Sequence, residues 1–309
     1  MSNSPVYAKP DSFIGVGLRH LHYDDALNHD NSLAPIDFVE IHAENFFAKG
    51  GITQALLLDV REKYELSVHG TSLGLGSNVA VPQNTLSQFA DLVRRTEPKL
   101  VSEHLCFNRA MLNDKIYHSG DLLPIPFNNA SLAKTVDNIQ QVQDAIGRPL
   151  LIENLSAYLN PSDVPGTLKS AAKDSMSEPE FLIQLCEQAG CGMLLDLNNL
   201  IVNALNQGQA PAQVIEHVMQ HVLQLPANVV GEIHLAGFSE QKVAGFIIDD
   251  HGQAVSSQCW LLYQKVLEHF PNVPTLIEWD TNLPDWETLV SQATQARSIA
   301  HERRVIGGQ

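Results

Sequence analysis

The sequence predicts a (β/α)8 barrel built as a single domain, with the barrel taking up about residues 13–302 of the 309. Three observations carry that prediction. Eight short apolar runs rich in Val, Ile and Leu recur through the chain: FIGVGL, IDFVEIH, YELSVHG, KLVSEHL, PLLIEN, CGMLLDLNN, VVGEIHL and VPTLIEWD. Their near-continuous hydrophobicity marks strands covered on both faces, as in a parallel sheet. Segments with helical periodicity separate most of them, and eight such units suit a barrel of roughly 250 residues plus loop insertions.

Each element has its own justification. After the third run, GTSLGLGS (Gly70 to Ser77) is rich in glycine but lacks the lysine of a phosphate-binding loop, so it reads as an irregular loop. LAKTVDNIQQVQDAIG places Leu132, Val136, Ile139, Val142 and Ile146 on one helical face, and Gly147 and Pro149 end it. SEPEFLIQLCEQAG opens with Ser177 and Glu180 at capping-box spacing, with Pro179 in the first turn, and closes at Gly190. APAQVIEHVMQHVLQL, SSQCWLLYQKVLEHF and PDWETLVSQATQARSIAHERR complete the helices. A doubly wound open sheet is the competing fold. It is disfavoured because no G-x-G-x-x-G follows the first strand and no change in composition marks a second domain.

Composition narrows the function. The formal net charge is −16, from 19 basic and 35 acidic residues, and the compact basic clusters are Arg94–Arg95 and Arg303–Arg304. A polyanion is repelled by such a field, so nucleic acid is not an expected partner. Part of the acidic excess is accounted for if carboxylates bind cations that the formal sum omits. The stretch MSNSPVYAKPDSF lacks a charged segment followed by an apolar one, and no run reaches the length of a membrane helix, so a cytoplasmic protein with no membrane partner is expected. Cys106, Cys186, Cys191 and Cys259 lack C-x-x-C spacing and read as small buried thiols rather than a disulfide framework or zinc ribbon.

The chemistry sits where the strands stop. PLLIEN ends a buried run on Glu153, a costly position for a carboxylate without a compensating partner. The other strand ends carry His69, His104, Asp196, His234 and Glu278. A lone histidine or aspartate there is more often a helix cap or a loop hydrogen-bonder. Six together, on strands whose C-terminal ends converge on one mouth, point to cations shared between them. FIIDDHGQAV, in the long loop after the seventh strand, adds Asp249 and His251 on one side of an extended segment, and Asn199 offers an amide oxygen three residues after Asp196. The residues sort into three sets: His69, His104 and Glu153, which have the composition of a facial triad with open positions; Asp196, His234 and Glu278, with Glu153 as a bridge; and Asp249 with His251 and Asn199. These N and O donors suit Fe, Zn or Mn alike.

The motifs SEHL, DLLPIPF, GRPLLIENLSAYL, GCGMLLDLNNLIVNALN, EIHLAG, IIDDHGQAV and VPTLIEWD, in that order from about Ile14 to Ala300, resemble the multinuclear non-haem iron-dependent oxidases, long filed as a domain of unknown function. The resemblance implies a barrel holding two or three iron ions that uses O2 to modify cysteine residues of a ribosomally synthesised peptide. His69, His104, Glu153, Asp196, His234, Asp249, His251 and Glu278 then correspond to iron ligands, with Asn199 an additional candidate and Asn154 close by. The cysteine-containing precursor peptide is the implied partner, presented by a companion protein. The chain departs from the family pattern at Phe238, where a polar residue is common, and at Gln207 within the otherwise frequent NHG. Glu40, His42 and Glu44 alternate at the end of the second strand, where they line the pocket, orient ligands or serve in structural hydrogen bonds. His20, His22, His118, His217, His221 and His269 read as surface or core histidines. The rival functions are a di- or trinuclear metallohydrolase of phosphodiesters or a barrel isomerase, and a non-catalytic protein that binds metal and peptide.

Overall fold

All eight apolar runs form strands, and they close on themselves. The closed parallel barrel consists of β1 (Ile14–Gly17), β2 (Phe38–His42), β3 (Glu65–Gly70), β4 (Leu100–His104), β7 (Leu151–Glu153), β8 (Gly192–Asp196), β9 (Val230–Leu235) and β12 (Thr275–Ile277). This computed structural model describes residues 12–158, 174–243 and 245–307. Residues 1–11 of the amino-terminal stretch read above for a signal peptide, and Leu159 at the end of GRPLLIENLSAYL, lie outside those residues.

Among the described residues, two antiparallel hairpins stand outside the barrel, and sequence analysis anticipated neither. β5 (Phe107–Leu112) and β6 (Lys115–Leu123) follow β4, while β10 (Gly237–Val243) and β11 (Phe246–Gln253) follow β9. The segment carrying Asp249 and His251, expected as a long loop, is therefore strand β11. GTSLGLGS remains irregular beyond β3, as expected.

The helices pack outside the barrel: α2 (Gly51–Lys63), α3 (Gln83–Thr96), α4 (Asn129–Ile146), α5 (Glu178–Ala189), α6 (Leu197–Asn206), α7 (Val214–Val222), α8 (Ser257–His269) and α9 (Trp286–Gly307), after the short α1 (Tyr23–Asn28). The capping box of α5 forms in full, with Ser177 Oγ accepting from Glu180 N and the Glu180 carboxylate accepting from Ser177 N. Gly147 and Gly190 close α4 and α5 in the left-handed conformation that glycine adopts without penalty.

Strand register stacks the barrel interior in layers. Phe13, Phe38, Leu100, Leu151, Leu194 and Leu276 form an apolar cluster at the end from which the strands start. Gly15 makes room for it, because a Cβ there would stand 2.7 Å from the Phe38 ring. Above the cluster lies a buried polar layer of Glu40, Ser67, Ser102 and Glu232. The next inward-facing positions on the same strands are the residues of the rim, following the two-residue period of a strand.

Candidate metal centre

Two of the three sets expected from the sequence assemble. Nε2 of His69 and Nε2 of His104 each lie 3.3 Å from the same oxygen, Glu153 Oε2. Their remaining nitrogens are anchored: His69 Nδ1 is 2.8 Å from Ser102 Oγ, and His104 Nδ1 is 3.3 Å from the Gly70 carbonyl. Both rings thus turn Nε2 toward one point, and the register that pairs His104 with Glu153 brings the carboxylate to it. Neither His69 Nε2 nor Glu153 Oε2 has a hydrogen-bond partner. Ligands about 2.1 Å from one ion stand roughly 3.0–3.4 Å apart, so these spacings fit donors around a cation.

The second set, Glu153, Asp196, His234 and Glu278, is wholly buried, with one donor atom of each within 4.8 Å of the others. Asp196 does two jobs. Its Oδ1 caps α6 by accepting from Asn199 N at 2.6 Å, which leaves Oδ2 buried and unpartnered. His234 Nδ1 lies 3.0 Å from Glu278 Oε2. Asn154 ties the ends of β7 and β8 together by accepting from Asp196 N and donating to Asp196 O, so it holds backbone rather than facing the cluster.

The third set is a pair. His251 Nε2 is 2.8 Å from Asp249 Oδ1, and among the described residues no group of three candidate ligands contains either of them. His251 adopts a left-handed backbone (φ 41°), a strained conformation for this residue, and its Nδ1 reaches Glu278 Oε2 at 3.2 Å. Asn199 turns its amide nitrogen toward Asn154 O and Glu153, leaving its Oδ1 buried and unpartnered.

Of the outer residues, Glu40 lies in the buried layer, His42 is half-buried beside Arg19, and Glu44 accepts from Thr71 N away from the cluster. Sequence reasoning missed Glu232, Arg19 and Asp280. His42, Glu278 and Asp280 form a further group of possible donors, and Asp280 Oδ1 accepts from Arg19 at 2.5 and 2.9 Å. Of the remaining histidines, His22 is buried and reaches Pro284 O, whereas His20, His118 and His217 are exposed and His221 and His269 half-buried. Among the cysteines the expectation of buried thiols fails at Cys191. It is half-buried just beyond the Gly190 cap, with its Sγ 3.8 Å from that of Cys186.

Electrostatics agree with the geometry. Burial, then the neighbouring imidazoles, holds His69 well below its ordinary value, and burial brings His104 to about 4. Burial pushes Glu153 well up and Asp196 to about 7. The far side of the cluster goes the other way: burial lowers His234 and His251, but Glu40 with Glu278 and Asp249 with Glu278 outweigh it and hold both imidazoles well above their ordinary value, while burial raises Glu278 and the two imidazoles bring it well below. Left to itself the pocket therefore favours neutral imidazoles at His69 and His104 and protonated carboxyls at Glu153 and Asp196. A cation reverses the preference for the acids while using imidazole lone pairs that are already free.

Residues 13–301 match the family described as RiPP precursor modification enzyme MbnB/TglH/ChrH. The chain belongs to this family. Members of it modify precursors of ribosomally synthesised peptides, and the resemblance drawn from the sequence motifs is borne out at that level. A UPF0276 protein of Chromobacterium violaceum is 41% identical over 285 residues, covering 92% of this chain and 94% of that protein. A UPF0276 protein of Paraburkholderia phytofirmans is 42% identical over 275 residues, covering 87% and 81%. The barrel is similar to that of endonuclease IV from Thermus thermophilus, with a TM-score of 0.58 at 13% identity over 94% of this chain and 98% of that one. It is also similar to D-psicose 3-epimerase from Clostridium cellulolyticum, with a TM-score of 0.53 at 11% identity over 94% and 98%. At such low identity these two likenesses establish the barrel fold alone.

Proposed function

We propose that this member of the precursor-modification family is a multinuclear iron-dependent oxidase that uses O2 to modify cysteine residues of a ribosomally synthesised peptide, presented to it by a companion protein in the cytoplasm. The observation that carries the reading is the meeting of His69 Nε2, His104 Nε2 and Glu153 Oε2 at one point, where His69 Nε2 and Glu153 Oε2 are buried with no hydrogen-bond partner. Two imidazoles and one carboxylate are the donor set of non-haem iron sites with open positions. His69, His104 and Glu153 would hold one ion, and Glu153, Asp196, His234 and Glu278 a second, with Asp249 and His251 available to a third. Iron bound there supplies dioxygen activation and a Lewis acid that favours the thiolate form of the substrate.

The remaining steps belong to the chain's own residues. Ser102 and the Gly70 carbonyl fix the two imidazoles so that neither ring must reorganise as it is used. Arg19 stands over the rim beside Glu278 and Asp280, where it offsets part of the crowded negative charge. The apolar cluster beneath keeps water from entering through the base of the barrel. Four free cysteines, three of them buried, suit a reducing compartment.

The test is to load the protein anaerobically with Fe(II), quantify bound metal, and follow O2 uptake with candidate cysteine-containing precursor peptides. The expected result is peptide-dependent O2 consumption with a mass change on cysteine, lost in Glu153→Gln. Hydrolysis of a generic phosphodiester without oxygen would favour a metallohydrolase instead. Metal uptake with no turnover of any peptide would favour a binding protein.

A further inference from the structure

The geometry points to Glu40 and Glu232 as positioning residues that hold the His234 ring from beneath, directing its Nδ1 at the rim. This inference rests on the metal reading above. All three side chains have no exposed surface. His234 Nδ1 faces Glu278, whereas Nε2 points the other way, 3.4 Å from Glu40 Oε2 and 3.8 Å from Glu232 Oε1. Nδ1 faces a carboxylate as well, so the two ends of the ring are alike until a cation is held at the rim. A cation there would take the lone pair of Nδ1 and leave the ring proton on Nε2, where Glu40 and Glu232 both attract it, and the pair thereby favours that tautomer.

Two other rim imidazoles supply the pattern. His69 and His104 each have one nitrogen anchored below or beside the site, by a serine hydroxyl and a backbone carbonyl, and the other presented to Glu153. His234 is the one whose anchor is acidic. Glu40 is itself braced by Ser67, whose hydroxyl donates to Oε2 at 3.1 Å. Neither oxygen of Glu232 has a hydrogen-bond partner, and Glu40 Oε1 also has none. A structural role alone would be met more cheaply by amides or hydroxyls, because unpaired buried carboxyls are costly. Their function is instead to place negative charge against the ring from the side opposite the ions, which strengthens His234 as a donor.

The experiment uses the full chain loaded with Zn(II), titrated with a competing chelator, for wild type, E40Q and E232Q, together with 15N NMR of histidine-labelled, Zn(II)-loaded wild type. We expect each variant to hold one ion about 10–100-fold more weakly while the others keep their wild-type affinity. In the wild type we expect the proton of His234 on Nε2. Unchanged affinity for every ion in both variants overturns the inference, and so does loss of an additional ion that leaves the His234-bound one untouched, since the pair would then itself be a ligand set. Should the variants fail to fold, a wild-type His234 ring protonated on Nδ1 overturns it on its own. Wild-type protein that takes up no metal refutes the metal reading as well, a failure distinct from metal binding that is indifferent to the pair.

Discussion

Single residues decide how the rim is kept in order. Arg19 is buried and gives two hydrogen bonds to Asp280, whose carboxyl is held to about 2: burial pushes it up, but the guanidinium outweighs burial. A depressed carboxyl stabilises the fold above its unfolded value of 3.8 and loses that contribution as pH falls from 3.8 toward 2. Asp280→Asn should therefore cost about 2–3 kcal/mol at pH 7 by urea unfolding of the metal-free protein, since it leaves Arg19 half-paired. The difference from wild type should shrink across that acid window. At this scale the sequence is legible where a polar residue interrupts an apolar run, as at Glu153, Asp196 and Glu278. Glu232 was legible too, since VEIH and GEIH both put a glutamate two residues before a histidine and hence on the same inward face. In SEH the two are adjacent, and Glu103 accordingly points away from His104's face, toward Leu73 N. Arg19 and Asp280 lie just past strand ends, where no periodicity assigns a side chain to a face.

Among elements, the helices behave as their sequence signals require. Ser177→Ala removes a fully formed capping box on an exposed turn and should lower stability by about 1 kcal/mol, measured by chemical denaturation with the metal content unchanged. The hairpins are less transparent. β6 is exposed from Lys115 to Asp121, so burial imposes no hydrophobic alternation on it. Its usable signal was the Asn113–Asp114 pair, both at positive φ as a two-residue hairpin turn demands. The second hairpin starts at Gly237, where a Cβ would collide with the Ala254 carbonyl. Gly237→Ala should splay the root of β10–β11 and displace Asp249 and His251. We expect reduced metal stoichiometry by elemental analysis with the barrel's far-UV circular dichroism retained.

For the molecule as a whole, the barrel was readable because apolar runs alternate with amphipathic segments along most of the chain, and the two hairpins add to that pattern without changing the count of eight barrel strands. The centre is distributed over strands β3 to β12, so cations that bind it tie together segments far apart in sequence. Binding to the folded state alone raises stability by roughly 2.7 kcal/mol at one hundred times the dissociation constant. Metal-loaded protein should melt several degrees above chelator-treated protein, and the shift should vanish in a His69→Ala, Glu153→Ala double variant. A melting temperature indifferent to metal would mean that the ions, if bound, do not bridge the strands.

The packed phenyl and leucyl floor formed by Phe13, Phe38, Leu100, Leu151, Leu194 and Leu276 makes the barrel a vessel with one mouth. Everything that enters or leaves must queue at the same doorway. If the proposed ions and peptide both bind at that opening, the ions have to be seated before the peptide arrives, and once it lies across the opening they are locked in until it departs. Order of arrival is thereby written into the architecture, and a chelator added after the peptide should strip the protein far more slowly than one added before.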